Sequence, residues 1–493
     1  MGELPGQLPA PSTTGSRGNE GVHRLYWAEQ AWLPGGWQQQ VVLRIDAQGC
    51  WSEVSAGVAQ APEGAQRLPG PVLPGLVNAH SHAFQRAFAG LAERREPRAD
   101  GAVDDFWSWR DRMYSVALRI EPDQLQAVAA QLYVELLRGG YTQVCDFHYL
   151  QHDTSGRPYT DPLCLSWALA DAAAEAGLGL TILPVLYERA GFSQPHLRPD
   201  QRRFATTADS VWALQQQLNA SGRPLLNAGV ALHSLRAAAP ASVFHLHRLA
   251  ERFSGPIHIH VAEQTAEVAD CLAATGRRPM QWLAEEGLLD DRWQLVHATH
   301  SSREEIEAVA RSGAGVVICP STEANLGDGL ADMPGWLAAG VPLAIGSDSH
   351  VSRQWPEELR WLDYGQRLLL HQRNVCAAPE TGVASTAQRL FDLSVQGGAA
   401  AAGRAQWGLV AGARADLLVV DARSSHLLGI PAERLLDALV FSSPGRPWRD
   451  VMVAGRWVVQ GHHHPAAAGI AQRFEAAMQA LWQEPAALSP PRV

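Results

Sequence analysis

The chain has 493 residues, 46% of them hydrophobic and 18% charged, a balance that fits a globular protein too long for one simple domain. A formal net charge of -10 leaves no basic surplus to neutralise phosphates, so no nucleic-acid partner is expected, and no apolar run reaches the length of a membrane span. All 40 basic residues are arginine; the absence of lysine excludes Schiff-base chemistry, pyridoxal anchoring, a Walker-type phosphate grip and a carbamylated lysine between two metals.

Residues 1–22 are rich in Pro, Gly, Ser and Thr. They lack a basic start and an apolar middle, so they read as a disordered tail and not as a signal peptide. The six cysteines are scattered without a C-x-x-C pair, which suits reduced thiols and a cytoplasmic location. Short strands and turns fill Leu25 to Gly70. Pro74-Gly75 then punctuates a turn, and Leu76-Val77 opens a buried strand that ends in His80-Ser81-His82. Residues two apart on a strand share a face, so both imidazoles project into one space as a pair of metal ligands. Ala83 to Asp105 is polar and Arg-rich and reads as a long irregular loop with a helical part.

From Glu121-Pro122 a rhythm sets in. An apolar stripe at Leu125, Val128, Ala129, Leu132 and Leu136 predicts a helix that Gly139-Gly140 stops, with strand Thr142 to His148 behind it. Helix and strand then alternate: 163–176 and 180–187, 207–218 and 227–234, 241–253 and 257–262, 265–286 and 294–299, 303–312 and 315–319, 333–339 and 342–347. With the His80 strand this makes eight strands, which favours an α/β fold closed as a (β/α)8 TIM-like barrel over an open doubly wound sheet. Leu417 to Asp421 and Val451 to Val459 read as late strands that pair with the early ones. The expected organisation is a tail (1–22), a small β-sandwich formed from both chain ends (23–73 and 411–465), a barrel (74–410) and a C-terminal helix with its tail (466–493).

Chemistry in such a barrel sits where strands end on the C-terminal face. Strand one offers His80 and His82; strand four His233 and then Arg236; strand five His260 and Glu263; strand six His297; strand eight Asp348. His80, His82, His260 and Asp348 make a ligand set for one divalent metal per subunit, zinc ahead of iron. His258 shares a strand face with His260 and is the alternative ligand; His260 lies nearer the strand end and precedes Glu263. A ligand set with one open position would hold an activated water. Glu263 is placed to carry its proton to a leaving group, and a neutral His297 to hydrogen-bond the water or the developing oxyanion. His148, His152, His300 and His350 read as supporting or surface residues, and His462-His463-His464 as a loop tract past the barrel.

The segments 74–82, 260–264, 296–300 and 346–349 resemble the amidohydrolase superfamily, in its mononuclear deaminase branch. Four longer stretches, 80–93, 106–110, 146–149 and 319–329, are similar to the formimidoylglutamate deiminases of histidine degradation. That resemblance implies zinc-dependent hydrolysis of N-formimino-L-glutamate to N-formyl-L-glutamate and ammonia, carried out by a homodimer. From the strand-end geometry, Asp348 and His297 are expected to orient the water and accept or share its proton. A small dianionic substrate would meet Gln85, Arg110, Tyr149, His233 and Arg236, since guanidinium grips carboxylate bidentately. The rival readings are a mononuclear-metal deaminase of a nucleobase or related aromatic amine, and a metal-free binding protein that kept the barrel.

Overall fold

In the computed structural model, residues 24–94, 104–442 and 445–483 are described. The expected tail at 1–22, the middle of the Ala83–Asp105 loop and the last residues of the C-terminal segment lie outside them.

Eight parallel strand positions form the central sheet, in chain order Leu76–Ser81, Tyr141–His148, Gly179–Leu186, Val230–Leu232, Ile257–Val261, Trp293–His297, Gly315–Ile318 and Leu343–Ile345. Strands such as Tyr141–His148 and Gly179–Leu186 are buried along their whole length, because helices cover the outer face and side chains fill the inside. The fourth position is broken at Gly229. Leu226–Ala228 pairs only with Gly179–Leu186, while Val230–Leu232 pairs with both neighbours. A Cβ at Gly229 would stand 2.5 Å from the Pro256 carbonyl oxygen.

The ring is closed at one end only, where the first strand meets the loop after the last. Ser81 bridges Asp348 in parallel register, and the His80 carbonyl accepts from Ser347 N (3.1 Å) and Asp348 N (3.0 Å). The Asn78 amide locks the join: its Nδ2 donates to Ser347 Oγ (2.7 Å) and its Oδ1 accepts from Ser347 N (2.9 Å). Gly346 permits this approach, since a Cβ there would lie 2.7 Å from that of His80 and 2.9 Å from Cys319 Sγ.

The expected helices follow the expected caps. Pro122–Arg138 begins at a Glu121/Gln124 capping box with Pro in its first turn and ends at Gly139, and Gly140 turns the chain at φ +89. The stretch 265–286, read as one helical region, is two helices, Thr265–Thr275 and Pro279–Glu285. Gly276 in the left-handed conformation and Pro279 separate them.

Both ends of the chain join in a second, eight-stranded sheet. Its order runs Arg456–Val459, Trp448–Val453, Leu417–Val420, Val72–Leu73, Leu25–Leu33, Gly36–Ile45, Trp51–Ser55, with Gln66–Arg67 beside Leu25–Leu33. Val72–Leu73, immediately before the barrel, pairs antiparallel with Leu418 and Val419. Strand alternation divides this sheet between two cores. Leu417 and Val419 pack with Tyr26, Leu43 and Trp51, whereas Leu418 and Val420 join the barrel core. Among the described residues no helix is long and apolar enough to cross a membrane.

Candidate metal and catalytic site

The C-terminal mouth gathers the imidazoles. Nitrogen and oxygen atoms of His80, His82 and Asp348 lie within 4.8 Å of one another, and so do those of His80, His260 and His297. Asp348 Oδ1 is 3.4 Å from His80 Nε2 and 3.3 Å from His82 Nε2, and His260 Nε2 is 3.0 Å from His80 Nε2. Backbone carbonyls fix two of the rings: His82 Nδ1 meets Phe147 O (2.9 Å) and His260 Nδ1 meets His233 O (3.0 Å). With Nδ1–H donated, each Nε2 turns a lone pair toward the centre. His258 lies in a deeper layer of the barrel, with its Nε2 bonded to the Ala401 carbonyl (2.9 Å).

Burial keeps these imidazoles neutral. It pushes His80 down to about 3, lowers His82, and holds His260 and His233 well below the ordinary histidine value. Burial would raise the Asp348 carboxyl, but the His80 hydrogen bond and the surrounding imidazoles hold it below the usual carboxylate range. Converging neutral nitrogens and one ionised carboxylate are a donor set that fits a borderline divalent cation. The backbone is strained here as well: Ala262, His297, Ala298, Asp348 and His350 all have positive φ.

Glu263 and His297 stand beside this set, with Glu263 Oε1 3.8 Å from His297 Nε2. Glu323 accepts from His297 Nδ1 at 3.4 Å and from Cys319 N at 2.9 Å. Burial pushes Glu263 up to about 7 against the pull of His297. Burial would lower His297, but Glu263, the Glu323 hydrogen bond and Asp348 raise it to about 10. Its carboxylate neighbours thus pull His297 toward the charged form, opposite to the effect of burial.

Above the cluster opens a narrow cavity of about 50 Å³. Every residue assigned to catalysis or substrate contact from the sequence lines it: Gln85, Arg110, Tyr149, His233, Arg236, Glu263, His297 and Asp348. His82 and His260 line it too, whereas His80 lies fully buried behind them. Gln85 Nε2 donates to Tyr149 Oη (3.2 Å), leaving Gln85 Oε1 without a partner. Arg110 and Arg236 are each 8% exposed, yet Arg110 Nε and Arg236 Nε and Nη1 have no hydrogen-bond partner among the described residues. Buried guanidinium donors left open in a cavity are a site for an anion.

Residues 72–458 match the amidohydrolase family. The chain belongs to that family. It is 47% identical over 452 residues to formimidoylglutamate deiminase of Pseudomonas aeruginosa, covering 91% of this chain and 97% of the relative. An amidohydrolase crystal structure from Brucella melitensis superimposes with a TM-score of 0.86 at 41% identity, covering 93% of this chain and 99% of the other. A zinc-bound adenosine deaminase from Xanthomonas campestris shares the fold, with a TM-score of 0.75 at 22% identity, covering 93% and 98%.

Within this amidohydrolase site several residues were invisible to sequence reasoning. The helix Phe106–Ala117 supplies Phe106, Trp109, Met113 and Tyr114 to the cavity as well as Arg110, and Leu326 comes from the segment after Pro320. The aromatic run at 106–110 was the available signal. Glu323 was the other miss; an acidic residue one turn into a helix that follows strand seven could have been suspected. His350 is fully buried, its Nε2 bonded to the His82 carbonyl (3.1 Å) and its Nδ1 to Ser347 Oγ (3.0 Å). His152 bonds Ala205 O (2.8 Å), and His148 is buried at a strand end beside the site. His300 sits outside the cavity lining. In the late tract, His462 pairs with Asp421 (3.0 Å) and His464 with Ala176 O (2.9 Å), and among the described residues neither belongs to a metal-ligand group.

Proposed function

We propose that this chain catalyses hydrolytic deimination of N-formimino-L-glutamate to N-formyl-L-glutamate and ammonia, with one zinc ion per subunit. The observation that carries the reading is the pair of buried, open-edged guanidiniums above a His3Asp cluster. A neutral nucleobase would be recognised by amides and aromatic rings; two buried guanidiniums with open N–H donors suit a substrate with two carboxylates. The deiminase of Pseudomonas aeruginosa, 47% identical over nearly the whole length, supports the same substrate.

His80, His82, His260 and Asp348 would hold the metal, which supplies Lewis-acid activation of water. Asp348, ionised and flanked by imidazoles, would orient that water together with His297 and take up its proton. His297, fixed by Glu323, donates from Nε2 toward the oxygen that gains charge as water adds to the formimino carbon. Glu263, whose raised pKa keeps part of it protonated near neutrality, delivers a proton to the terminal nitrogen. Asp348 returns the proton it took from water to the same nitrogen while Glu263 takes the hydroxyl proton of the adduct; the carbonyl forms, the carbon–nitrogen bond breaks and ammonia leaves. Arg110 and Arg236 take the carboxylates, and Gln85, Tyr149 and His233 fix the chain between them.

Residues 74–410 would form the hydrolase unit, with 23–73 and 411–465 as its accessory sheet. A homodimer is supported by an exposed apolar stripe: Trp361, Tyr364 and Leu368 recur along helix Trp355–Leu370, beside Leu330. Six free cysteines support a reducing, cytoplasmic setting.

The test is ammonia release by zinc-loaded protein from N-formimino-L-glutamate, adenosine, guanine and cytosine. Release from the dicarboxylate alone is expected; release only from a base would overturn the reading. In Glu263→Gln zinc content should stay at wild-type level while turnover falls by roughly a hundredfold or more. Unchanged turnover would remove Glu263 from proton delivery.

A further inference from the structure

Two cations face the same cavity, and one aromatic ring touches both. Arg110 Cζ lies 4.6 Å from the centre of the Trp107 ring, and Arg236 Cζ lies 5.6 Å from it. The two arginines come from different places, one from helix Phe106–Ala117 and the other from the turn after the fourth barrel strand. We infer that Trp107 is the positioning residue that holds these two guanidiniums in register, so that the site selects substrates carrying two carboxylates over those carrying one. The inference rests on the deimination reading for its substrate, though not for its geometry.

Burying two like charges in one cavity is costly unless something offsets it. The common answer, a buried carboxylate in direct ion pair, is missing here; buried Glu267 and Glu263 attract Arg236 only from beyond ion-pair distance. Among the described residues Arg236 has no ion pair, and Arg110 has only Asp111 at 3.7 Å, whose side chain is 66% exposed. A carboxylate would also defeat the purpose, because a substrate carboxylate would have to displace it. An aromatic face attracts a guanidinium without using its N–H donors. The open donors of both arginines agree with that arrangement.

The ring is itself fixed. Asp105 caps the helix by accepting from Trp107 N (3.0 Å) and Ser108 N (3.1 Å) through its side chain. Phe106 packs edge-on against Trp107, with ring centres 5.0 Å apart at 87°. Trp107 stays only partly buried, so filling the core does not account for it.

The experiment compares wild type, Trp107→Leu and Trp107→Phe as full-length, zinc-loaded proteins. N-formimino-L-glutamate and its monocarboxylate analogue, N-formimino-4-aminobutanoate, are the substrates. Trp107→Leu should raise KM for the dicarboxylate by roughly tenfold, leave kcat within about twofold and change the monocarboxylate KM less. Trp107→Phe should restore most of the loss. Calorimetric binding of glutarate against butanoate gives a readout independent of turnover: Trp107→Leu should weaken glutarate by roughly tenfold and butanoate less. An unchanged glutarate affinity, or equal losses for both acids, overturns the inference. Wild-type protein that binds glutarate through Trp107 but releases no ammonia from formiminoglutamate would instead overturn the deimination reading alone.

Discussion

Asp348 and Arg236 illustrate two uses of a buried charge. Asp348 is offset by the imidazoles around it, so Asp348→Asn should lower zinc content severalfold when measured by elemental analysis. Arg236 has donors waiting for a ligand, so Arg236→Gln should raise KM for formiminoglutamate by roughly tenfold to a hundredfold while the protein stays folded. Steady-state kinetics with circular dichroism would check both halves of that statement. Glu358 is a third case, away from the metal ligands. Its side chain is fully buried and accepts from Ser321 N and Oγ, and burial pushes its carboxyl up to about 8 despite those bonds. The folded state therefore holds a proton that the unfolded state releases at ordinary carboxylate pH. Stability should fall as pH rises from about 4.5 to about 8, and Glu358→Gln should flatten that part of the curve in thermal melts at pH 6 and pH 8.5.

Elements, more than single side chains, decide how much could be read in advance. The helix–strand rhythm was legible because most of the parallel strands are buried throughout and the helices between them carry capping boxes, N-terminal prolines or C-terminal glycines; Arg303–Ser312 with its Ser302/Glu305 box matches the expected bounds. The hairpin at Trp448–Val459 was legible for the same reason, with Ala454 and Gly455 at positive φ in its turn. The convergence of His80, His82, His260 and Asp348 was legible because a strand end in a barrel has a known direction. Helix Phe106–Ala117 was not, because periodicity identifies an apolar face but not the cavity it will cover. The contact between Gly346 and His80 was equally hidden, since nothing local marks two segments 266 residues apart as neighbours. Gly346→Ala should destabilise the protein by about 1–3 kcal/mol and weaken zinc binding, because the new methyl group would be driven into His80. Calorimetric melting with and without added zinc measures both effects.

On the scale of the whole molecule, the end sheet and the barrel are one folding unit. Leu417–Val420 places alternate side chains in two different cores, so neither core is complete without the other. The apolar stripe on Trp355–Leu370 faces outward from this unit, and Leu368 is 73% exposed. Leu368→Glu should shift the proposed homodimer to monomer in light scattering while leaving the melting temperature nearly unchanged, since that side chain is not part of the core. An unchanged oligomer would assign the stripe no part in self-association.

The ring of strands is fastened at the point where the ligands gather. His80 and His82 belong to its beginning and Asp348 to its end, and the same backbone hydrogen bonds that join the two carry the side chains. A ribosome must therefore deliver the chain past residue 348 before the proposed ligand set can be complete, and an ion held there would act as a clasp on the hoop. Stripping the ion with a chelator should open that fastening first, so amide exchange should quicken at 78–82 and 346–350 before it does on the far side of the barrel.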